Sequence, residues 1–360
     1  MRGRWSAPGR VNLIGEHVDY AEGLCLPFAL AERTVVEAEV LAGMRLRVRS
    51  EAEPGAVDVA LDEVAPGTPP GWAGYAVGVL WALREAGHPV GGLDLHVTET
   101  VPLGAGLSSS AALECAVALA ADDLFGLNLD RRDLAEACVR AENEVVGAAT
   151  GGMDQAAALL ATAGHALLLD TRDGSTRQVP FSPAADGLAL LVIDTRVRHR
   201  LADGRYGARR AAVEKAAVAL GLPSLRDATW AQVEACDAEL RPRARHVVSE
   251  IARVREVVAL LDAGRLAEIG PILDASHTSL ARDYEVSCAE LDLAVQVARD
   301  AGALGARMTG GGFGGSAIAL VPRELVDPVT AAVDAAFTRA GFAAPHTRAV
   351  EPSAGAHRDR

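Results

Sequence analysis

Residues 102–114 read PLGAGLSSSAALE, a run of small and hydroxyl-bearing residues between two periodic segments. Before it, apolar and polar residues alternate over 93–97, which predicts a half-buried strand. After it, apolar residues recur every three or four positions up to Phe125, which predicts a helix. Glycine lets a backbone approach a ligand closely, and a helix start offers unpaired N–H groups to an anion. The stretch therefore suits a phosphate-binding loop, and a tight strand–turn–helix junction without a ligand explains it about equally well.

A scarce residue type narrows the class of phosphate site. The chain has a single lysine, Lys215, and it contains no GxxxxGK[ST] sequence. It therefore lacks the phosphate-binding lysine of P-loop proteins and the lysine–glutamate pair of protein kinases. We expect any nucleotide bound by this loop to be held mainly by backbone amides and hydroxyl groups.

The overall composition limits the partners and the compartment. A chain of 360 residues, half of them hydrophobic, has room for two domains with a large core. The formal net charge of −13 argues against a nucleic acid or an anionic membrane surface as the main partner. Five cysteines without a CxxC pair argue against a disulfide framework and a structural zinc site. No segment has the pattern of a signal peptide or a membrane span, so we expect a cytoplasmic protein.

Residues 7–20, APGRVNLIGEHVDY, end a short apolar run with a group of polar side chains. Glu16, His17 and Asp19 lie within one turn of each other, and such a group can bind a polyhydroxylated ligand through several directed hydrogen bonds. A polar surface turn is the plainer alternative. A metal site is less favoured, because no second histidine cluster supplies further ligands.

Two carboxylates lie beside predicted helices. Asp154, in GGMDQ at 151–155, is near a helix start, where the dipole favours its charged form and where a helix cap is the commoner role. Glu142 follows Cys138 by one turn, beside an apolar stripe; a cation would relieve the cost of burying it, and a partly exposed glutamate fits the same spacing. Residues 308–320, MTGGGFGGSAIAL, favour a flexible turn before a buried strand when read alone.

Taken together, these segments resemble the GHMP small-molecule kinases and, within them, the galactokinase branch. The stretch at 7–20 is similar to the galactokinase signature, the one at 102–114 to the family's phosphate loop, and the one at 308–320 to its third motif. GGMDQ at 151–155 and DYEVSCAELD at 283–292 resemble the galactokinase branch specifically. The matches follow the family's order over most of the chain.

This resemblance implies a fold and an activity. The expected fold is α+β with two domains: an N-terminal mixed-sheet domain (1–183) that carries the phosphate loop, and a C-terminal ferredoxin-like α/β sandwich (184–360), with the active site in the cleft between them. The implied reaction transfers the γ-phosphoryl group of ATP to O1 of α-D-galactose, giving galactose 1-phosphate and ADP. The implied cofactor is Mg²⁺, the partners are the two substrates, and the expected state is a monomer or a weak homo-oligomer. We expect the tail after Pro352 to be poorly ordered.

The resemblance also implies roles for individual residues, by their positions in the matching motifs. The implied catalytic residues are Arg10 and Asp154. The implied sugar contacts are Glu16, His17, Asp19, Gly151, Asp154 and Tyr206. The implied Mg²⁺ ligands are Ser110 and Glu142. The residues expected around ATP are Gly104, Ala105, Gly106, Leu107, Ser108, Ser109 and Ser110, with Trp72 beside the adenine.

Several questions stay open at this stage. Val18 replaces the threonine usual in the signature, and the lead-in to Asp154 differs from the usual one, so a related kinase acting on N-acetylgalactosamine or arabinose is an alternative. A non-catalytic sugar and ATP sensor is a weaker alternative, because Arg10, Asp154 and the SSSAA run at 108–112 are all present. Asp154 either removes the sugar proton or orients the hydroxyl, and Arg10 either keeps Asp154 anionic or stabilises the transferring phosphoryl group. The histidines to which no role is given are His165, His199, His246 and His277.

Overall fold

The structure is a computed structural model that describes residues 1–102, 104–148, 150–198 and 204–359. Its strands are β1 (Arg2–Asn12), β2 (Leu24–Cys25), β3 (Pro27–Leu41), β4 (Arg45–Ser50), β5 (Ala56–Ala60), β6 (Gly92–Glu99), β7 (His165–Asp170), β8 (Thr176–Pro180), β9 (Leu188–Asp194), β10 (Gly305–Thr309), β11 (Ser316–Pro322), β12 (His346–Val350) and β13 (His357–Arg358). Its helices are α1 (Ala73–Glu85), α2 (Ser109–Phe125), α3 (Arg131–Arg140), α4 (Met153–Leu160), α5 (Arg205–Ala219), α6 (Trp230–Ala235), α7 (Arg241–Asp262), α8 (Gly270–Ser279), α9 (Ala289–Asp300) and α10 (Val326–Ala340). His199 lies outside the described residues.

The first sheet has the strand order β13-β1-β3-β6-β4-β5. Its pairs are antiparallel except for β4 and β6, which run parallel, so the sheet is mixed as expected. Leu93, Leu95 and Val97 of β6 are buried and the residues between them are partly exposed, which confirms the half-buried strand. The buried face packs against α1 and α2. Because β6 leads directly into the loop before α2, this packing fixes the loop at the end of the sheet.

The second sheet is antiparallel, with the order β10-β11-β9-β12. All seven residues of β9 are buried, and α8 and α9 pack on β10 while α10 packs on α9. The expected α+β architecture is therefore confirmed. The hydrophobic core of this half also contains Leu13, Leu26 and Phe28 from the first part of the chain. The boundary between 183 and 184 stays a prediction, and the core runs across it.

The tail after Pro352 is folded onto the first sheet, so the expectation that it is poorly ordered was wrong. Trp5 and Ser6 of β1 pair with Arg358 and His357 of β13. The Ser6 hydroxyl donates to Asp359 Oδ1 at 2.8 Å, and Ala356 is buried. The partners of the tail lie about 350 residues away along the chain, a distance that no local pattern can report.

Two features of the backbone prepare the site. A π-helical segment (Ala141–Val146) continues α3, and a second one (Leu280–Tyr284) continues α8; such segments recur at functional sites.

Within the described ranges no helix has both the length and the apolar character needed to span a membrane.

Candidate active site

The loop before α2 is fixed from below by β1 and β11. The Arg10 amide donates to Leu107 O at 3.1 Å, and the Ser316 hydroxyl donates to Ala105 O at 2.8 Å. Gly104 and Gly106 both have φ of +74°, a conformation in which glycine has no steric cost. The loop ends at the N-terminus of α2, where unpaired N–H groups and the helix dipole favour an anion.

Arg10 and Asp154 form the central ion pair of the site. Arg10 Nε donates to Asp154 Oδ1 at 2.7 Å and Nη2 donates to Oδ2 at 2.8 Å. Arg10 Nη1 donates to Gly106 O at 2.7 Å, which ties the pair to the phosphate loop. Burial by itself lowers the pKa of Arg10, but the carboxylates of Asp154, Glu16 and Asp19 outweigh burial and raise it. The guanidinium therefore stays charged.

Asp154 lies in the first turn of α4, which begins after Gly152 with φ of +90°. Its Oδ2 also accepts a hydrogen bond from the Ser108 hydroxyl. A carboxylate offers about four acceptor positions, and the described partners Arg10 and Ser108 use three of them. One position on Oδ1 is left to accept a proton or a hydroxyl from a ligand in the cavity.

Glu16 and Asp19 come from the segment after β1. Glu16 Oε1 accepts hydrogen bonds from Gly310 N at 2.7 Å and from the Thr309 hydroxyl at 3.0 Å. Asp19 lies against Gly151: a Cβ built on Gly151 would be 2.6 Å from Asp19 Cγ. Only glycine therefore lets the chain before α4 come this close to Asp19.

Aromatic rings surround the second part of the pocket. His17 Nδ1 lies 2.8 Å from the Tyr20 hydroxyl, and Nε2 lies 3.1 Å from Gly311 O. The Tyr206 ring, at the start of α5, is 5.2 Å from the His17 ring. Both ring nitrogens of His17 therefore have protein partners, and the orientation of the ring depends on these partners. The contact of His17 with a sugar stays a prediction.

Ser110 and Glu142 lie together next to the phosphate loop. Ser110 and Glu142 both line the cavity, and Gln155 Nε2 donates to Glu142 Oε2 at 2.6 Å and to Glu114 Oε2 at 3.0 Å. Burial and the charge of Asp154 raise the pKa of Glu142 above its ordinary value. A nearby cation would stabilise the ionised form of this buried carboxylate.

These residues fit Mg²⁺ that arrives with a nucleotide. Mg²⁺ is commonly held by one or two carboxylates together with substrate phosphates, and Ser110 and Glu142 provide a hydroxyl and a carboxylate beside the loop. In the part of the chain that the structure describes, no group of three His, Cys, Asp or Glu residues could hold a metal ion without other ligands.

A cavity of about 160 Å³ brings most of the predicted residues together. The predicted residues that line it are Arg10, Glu16, His17, Asp19, Gly104, Gly106, Leu107, Ser108, Ser109, Ser110, Glu142, Asp154 and Tyr206. Ala105 belongs to the loop and is buried. Gly151 contacts Asp19 and does not line the cavity. Trp72 lines an adjoining cavity of about 190 Å³ that shares Ser109 and Ser110 with the first. Gly310 and Gly311 from the second half complete the lining, so the cavity lies between the two halves of the chain.

Known proteins are similar to this chain over nearly its full length. The family models "GHMP kinases N terminal domain", "Galactokinase galactose-binding signature" and "GHMP kinases C terminal" match residues 74–162, 2–40 and 257–339. The galactokinase of Streptomyces coelicolor is 52% identical, with 99% of this chain and 94% of that protein covered. The chain belongs to the galactokinase family. The galactokinase of Mycobacterium tuberculosis is 45% identical, with 95% of each chain covered.

Solved structures extend the comparison to the fold. The crystal structure of Lactococcus lactis galactokinase complexed with galactose has a TM-score of 0.94 and 32% identity, with 99% of this chain and 95% of that chain covered. The structure of Methanococcus jannaschii mevalonate kinase has a TM-score of 0.72 at 15% identity, with 98% and 99% covered, and shows the fold alone. The expected membership in the galactokinase family, and its fold, are therefore confirmed.

Asp19 gives this galactokinase-family site a pH-dependent cost in stability. Burial and the charges of Asp154 and Glu16 raise the pKa of Asp19 to about 6. The protonated carboxyl therefore favours the folded state. This contribution to stability is fully present below the unfolded pKa near 3.8 and is lost as the pH rises through 6. We expect Asp19→Asn, which cannot ionise, to raise the free energy of unfolding by roughly 1–2 kcal/mol at pH 8 and much less at pH 4.5.

Urea unfolding at the two pH values measures this difference, with Asp186→Asn, an exposed carboxylate at a turn, as the control. Equal stabilisation of Asp19→Asn at both pH values would contradict the explanation. So would destabilisation at pH 8.

Sequence reasoning missed two residues that hold the backbone of Gly15 and Glu16 in place. Glu250 Oε1 accepts hydrogen bonds from the amides of Gly15 and Glu16 at 3.1 and 3.4 Å, and His246 Nε2 lies 3.0 Å from Glu16 O. Both side chains are buried on α7. A histidine and a glutamate four positions apart among the buried residues of an amphipathic helix are the signal that could have identified them.

Proposed function

We propose that this chain transfers the γ-phosphoryl group of ATP to O1 of α-D-galactose, with the residues of this cavity in the roles that the sequence predicts. The observation that carries the proposal is the position of the Arg10–Asp154 pair. It joins the phosphate loop, through Gly106 O, to the pocket of Glu16 and Asp19. A sugar hydroxyl and a phosphate group held on either side of this pair would meet at Asp154.

Asp154 is the residue that acts on the sugar proton. A hydroxyl bound at the remaining acceptor position of Oδ1 would give its proton to, or be oriented by, the carboxylate as O1 attacks phosphorus. Glu16 and Asp19 would accept hydrogen bonds from other sugar hydroxyls and fix the ring. Because phosphoryl transfer depends mainly on position and charge, this fixation is a large part of the catalysis.

Charge on the phosphates is balanced by the loop and its neighbours. Ser108, Ser109 and Ser110 line the cavity in which the phosphates would lie, and the unpaired N–H groups of a helix start favour an anion there. Mg²⁺, when bound, would neutralise charge on the β- and γ-phosphates. Ser110 and Glu142 would hold it, and Trp72 in the adjoining cavity would lie beside the adenine.

The replacement of the usual threonine by Val18 gives little support to a different sugar. The Val18 side chain is fully buried, packs beneath the backbone of Gly23 and does not line the cavity. N-acetylgalactosamine, arabinose and a non-catalytic sensor therefore enter as outcomes of the test.

The test is ADP release over a panel of galactose, N-acetylgalactosamine, arabinose and glucose, with and without Mg²⁺. We expect galactose to give the highest kcat/KM and EDTA to abolish turnover. A higher kcat/KM for N-acetylgalactosamine or arabinose would replace galactose as the substrate. Galactose binding without ADP release would instead support the sensor.

We also infer a cytoplasmic location and a monomer or weak homo-oligomer. The five cysteines are unpaired, as in a reducing compartment that also supplies ATP. Among the described residues, the exposed large apolar side chains are the scattered Met1, Met44, Val218 and Trp230. Scattered apolar side chains do not form the continuous patch of an obligate interface.

A further inference from the structure

The segment that presents Glu16 and His17 has an unusual backbone. Gly15 has φ of +100° and His17 has φ of +58°. A residue other than glycine rarely adopts the left-handed region, and such a conformation persists only where the surroundings hold it in place. The contacts that hold this segment are therefore part of the sugar pocket.

Helix α7 supplies contacts to the backbone of this segment. Glu250 Oε1 accepts hydrogen bonds from Gly15 N at 3.1 Å and from Glu16 N at 3.4 Å. His246, one turn earlier on the same face, lies with Nε2 3.0 Å from Glu16 O. Together the two side chains engage both N–H groups and the carbonyl of the Gly15–Glu16 pair, and both are fully buried.

The hydrogen-bonding partners define the tautomer of His246. A carbonyl oxygen only accepts, so Nε2 carries the proton and donates to Glu16 O. Nδ1 then accepts from the Ser279 hydroxyl at 2.9 Å, the shorter of that hydroxyl's two contacts, the other being Asp283 Oδ2 at 3.3 Å. Burial lowers the pKa of His246 to about 4, which agrees with a neutral ring at pH 7.

Glu250 is held in place by its own partners. Ser276 Oγ donates to Oε1 at 2.7 Å and Arg253 Nη1 donates to Oε2 at 2.5 Å. Burial by itself raises the pKa of Glu250, but the charge of His246, when that ring is protonated, and the charges of Arg253 and Arg307 lower it below its ordinary value. The carboxylate therefore stays ionised and accepts from the two amides.

The opposite side of the segment is oriented by the glycine-rich loop. Glu16 Oε1 accepts from Gly310 N at 2.7 Å, and His17 Nε2 is 3.1 Å from Gly311 O. Contacts with the glycine-rich loop thus orient the side chains of Glu16 and His17, while contacts with α7 hold the Gly15–Glu16 backbone.

We propose that His246 and Glu250 are positioning residues of the sugar pocket: they hold the Gly15–Glu16 backbone so that Glu16 and His17 face the sugar before it binds. This inference rests on the proposed function, because it concerns the same pocket. A pocket formed before binding spares the ligand the cost of ordering it. Loss of this clamp, formed by His246 and Glu250, therefore weakens galactose binding and leaves the nucleotide site unchanged.

Two substitutions of His246 separate the clamp from simple packing. The amide nitrogen of glutamine is as many bonds from Cα as Nε2, so His246→Gln keeps a donor for Glu16 O. The amide nitrogen of asparagine corresponds to Nδ1, so His246→Asn loses that donor. We expect His246→Asn to raise the Kd for galactose roughly 10- to 100-fold, as misplacement of binding groups does. His246→Gln is expected to stay within about threefold of the unchanged protein.

The measurements are galactose binding by calorimetry without ATP, KM for galactose and for ATP, and the melting temperature. Glu256→Gln, an exposed glutamate on the same helix, is the matched control and is expected to change none of them. KM for ATP is expected to stay within about twofold in every variant. A merely structural role of His246 would lower the melting temperature without this split between the two substrates.

Ser279→Ala is the second variant, and it decides the matter if His246→Asn does not fold. It removes the hydroxyl that hydrogen-bonds to Nδ1 and helps to orient the ring, and we expect the Kd for galactose to rise about 10-fold. Unchanged galactose affinity in folded His246→Asn, or in Ser279→Ala where the former does not fold, would overturn the inference. Equal losses in His246→Gln and His246→Asn would also do so. If the unchanged protein neither binds nor phosphorylates galactose, the proposed function itself has failed.

Discussion

Replacing Asp154 with asparagine is expected to lower kcat for galactose by roughly 10²- to 10⁴-fold, the usual contribution of a general base. Asparagine has nearly the same shape, but its amide nitrogen cannot accept a proton or a hydrogen bond. The carboxylate is paired with Arg10 through both of its oxygens, which leaves one acceptor position on Oδ1, and Asp154 lines the cavity. Steady-state ADP release at saturating galactose and ATP measures the loss.

The control for this prediction is Asp186→Asn, which changes an exposed aspartate at a turn far from the loop in sequence. Melting curves and nucleotide binding should show that Asp154→Asn is folded and that it still binds ATP. A folded Asp154→Asn protein whose kcat stays within about threefold of the original would remove Asp154 from its proposed role.

Arg10→Lys is expected to lower kcat by roughly 10²- to 10³-fold, the range seen when one preorganised donor is removed from a charged transition state. Lysine keeps the positive charge, but its single nitrogen cannot reach both oxygens of Asp154 and Gly106 O in the fixed geometry of a guanidinium. We expect a loss of roughly 1–3 kcal/mol in the free energy of unfolding. The loss should be smaller than for a fully buried pair, because the Asp154 side chain is 22% exposed.

A double substitution distinguishes the two roles of Arg10. If Arg10 acts only through Asp154, then Arg10→Lys with Asp154→Asn has the same kcat as Asp154→Asn alone. A further loss of about 10-fold or more would show that Arg10 also stabilises the transferring phosphoryl group directly. Arg132→Lys, an exposed arginine on α3, serves as the matched control and should leave kcat unchanged. A double variant more active than Asp154→Asn would contradict both roles.

The elements that the sequence predicts well are those whose burial follows a local period. The alternation over 93–97 and the helical period up to Phe125 both match β6 and α2. The strand β10 and the short helix α6 could not be predicted from a local period. The burial of β10 comes from α8, α9 and β11, and α6 has only six residues.

The candidate site divides in a similar way. Residues that lie in motifs of characteristic composition, such as Asp154 after two glycines, could be predicted from the sequence, and the structure gathers most of them around one cavity. The spacing of His246 and Glu250 marks them as unusual, but their role could not be predicted, because their partners lie 230 and 235 positions earlier in the chain. A buried polar side chain on a helix shows its purpose only when the group that it binds is known.

The pairing of β13 with β1 has a consequence for how the protein is made. A ribosome delivers the N-terminal half first, and nascent domains generally fold in that order. In this chain the pairing of Trp5 and Ser6 requires His357 and Arg358, which are synthesised about 350 residues later. Until then one edge of the first sheet is open to other strands, a condition that invites association between unfinished chains. Completion of this sheet therefore has to follow the synthesis of residues 357 and 358.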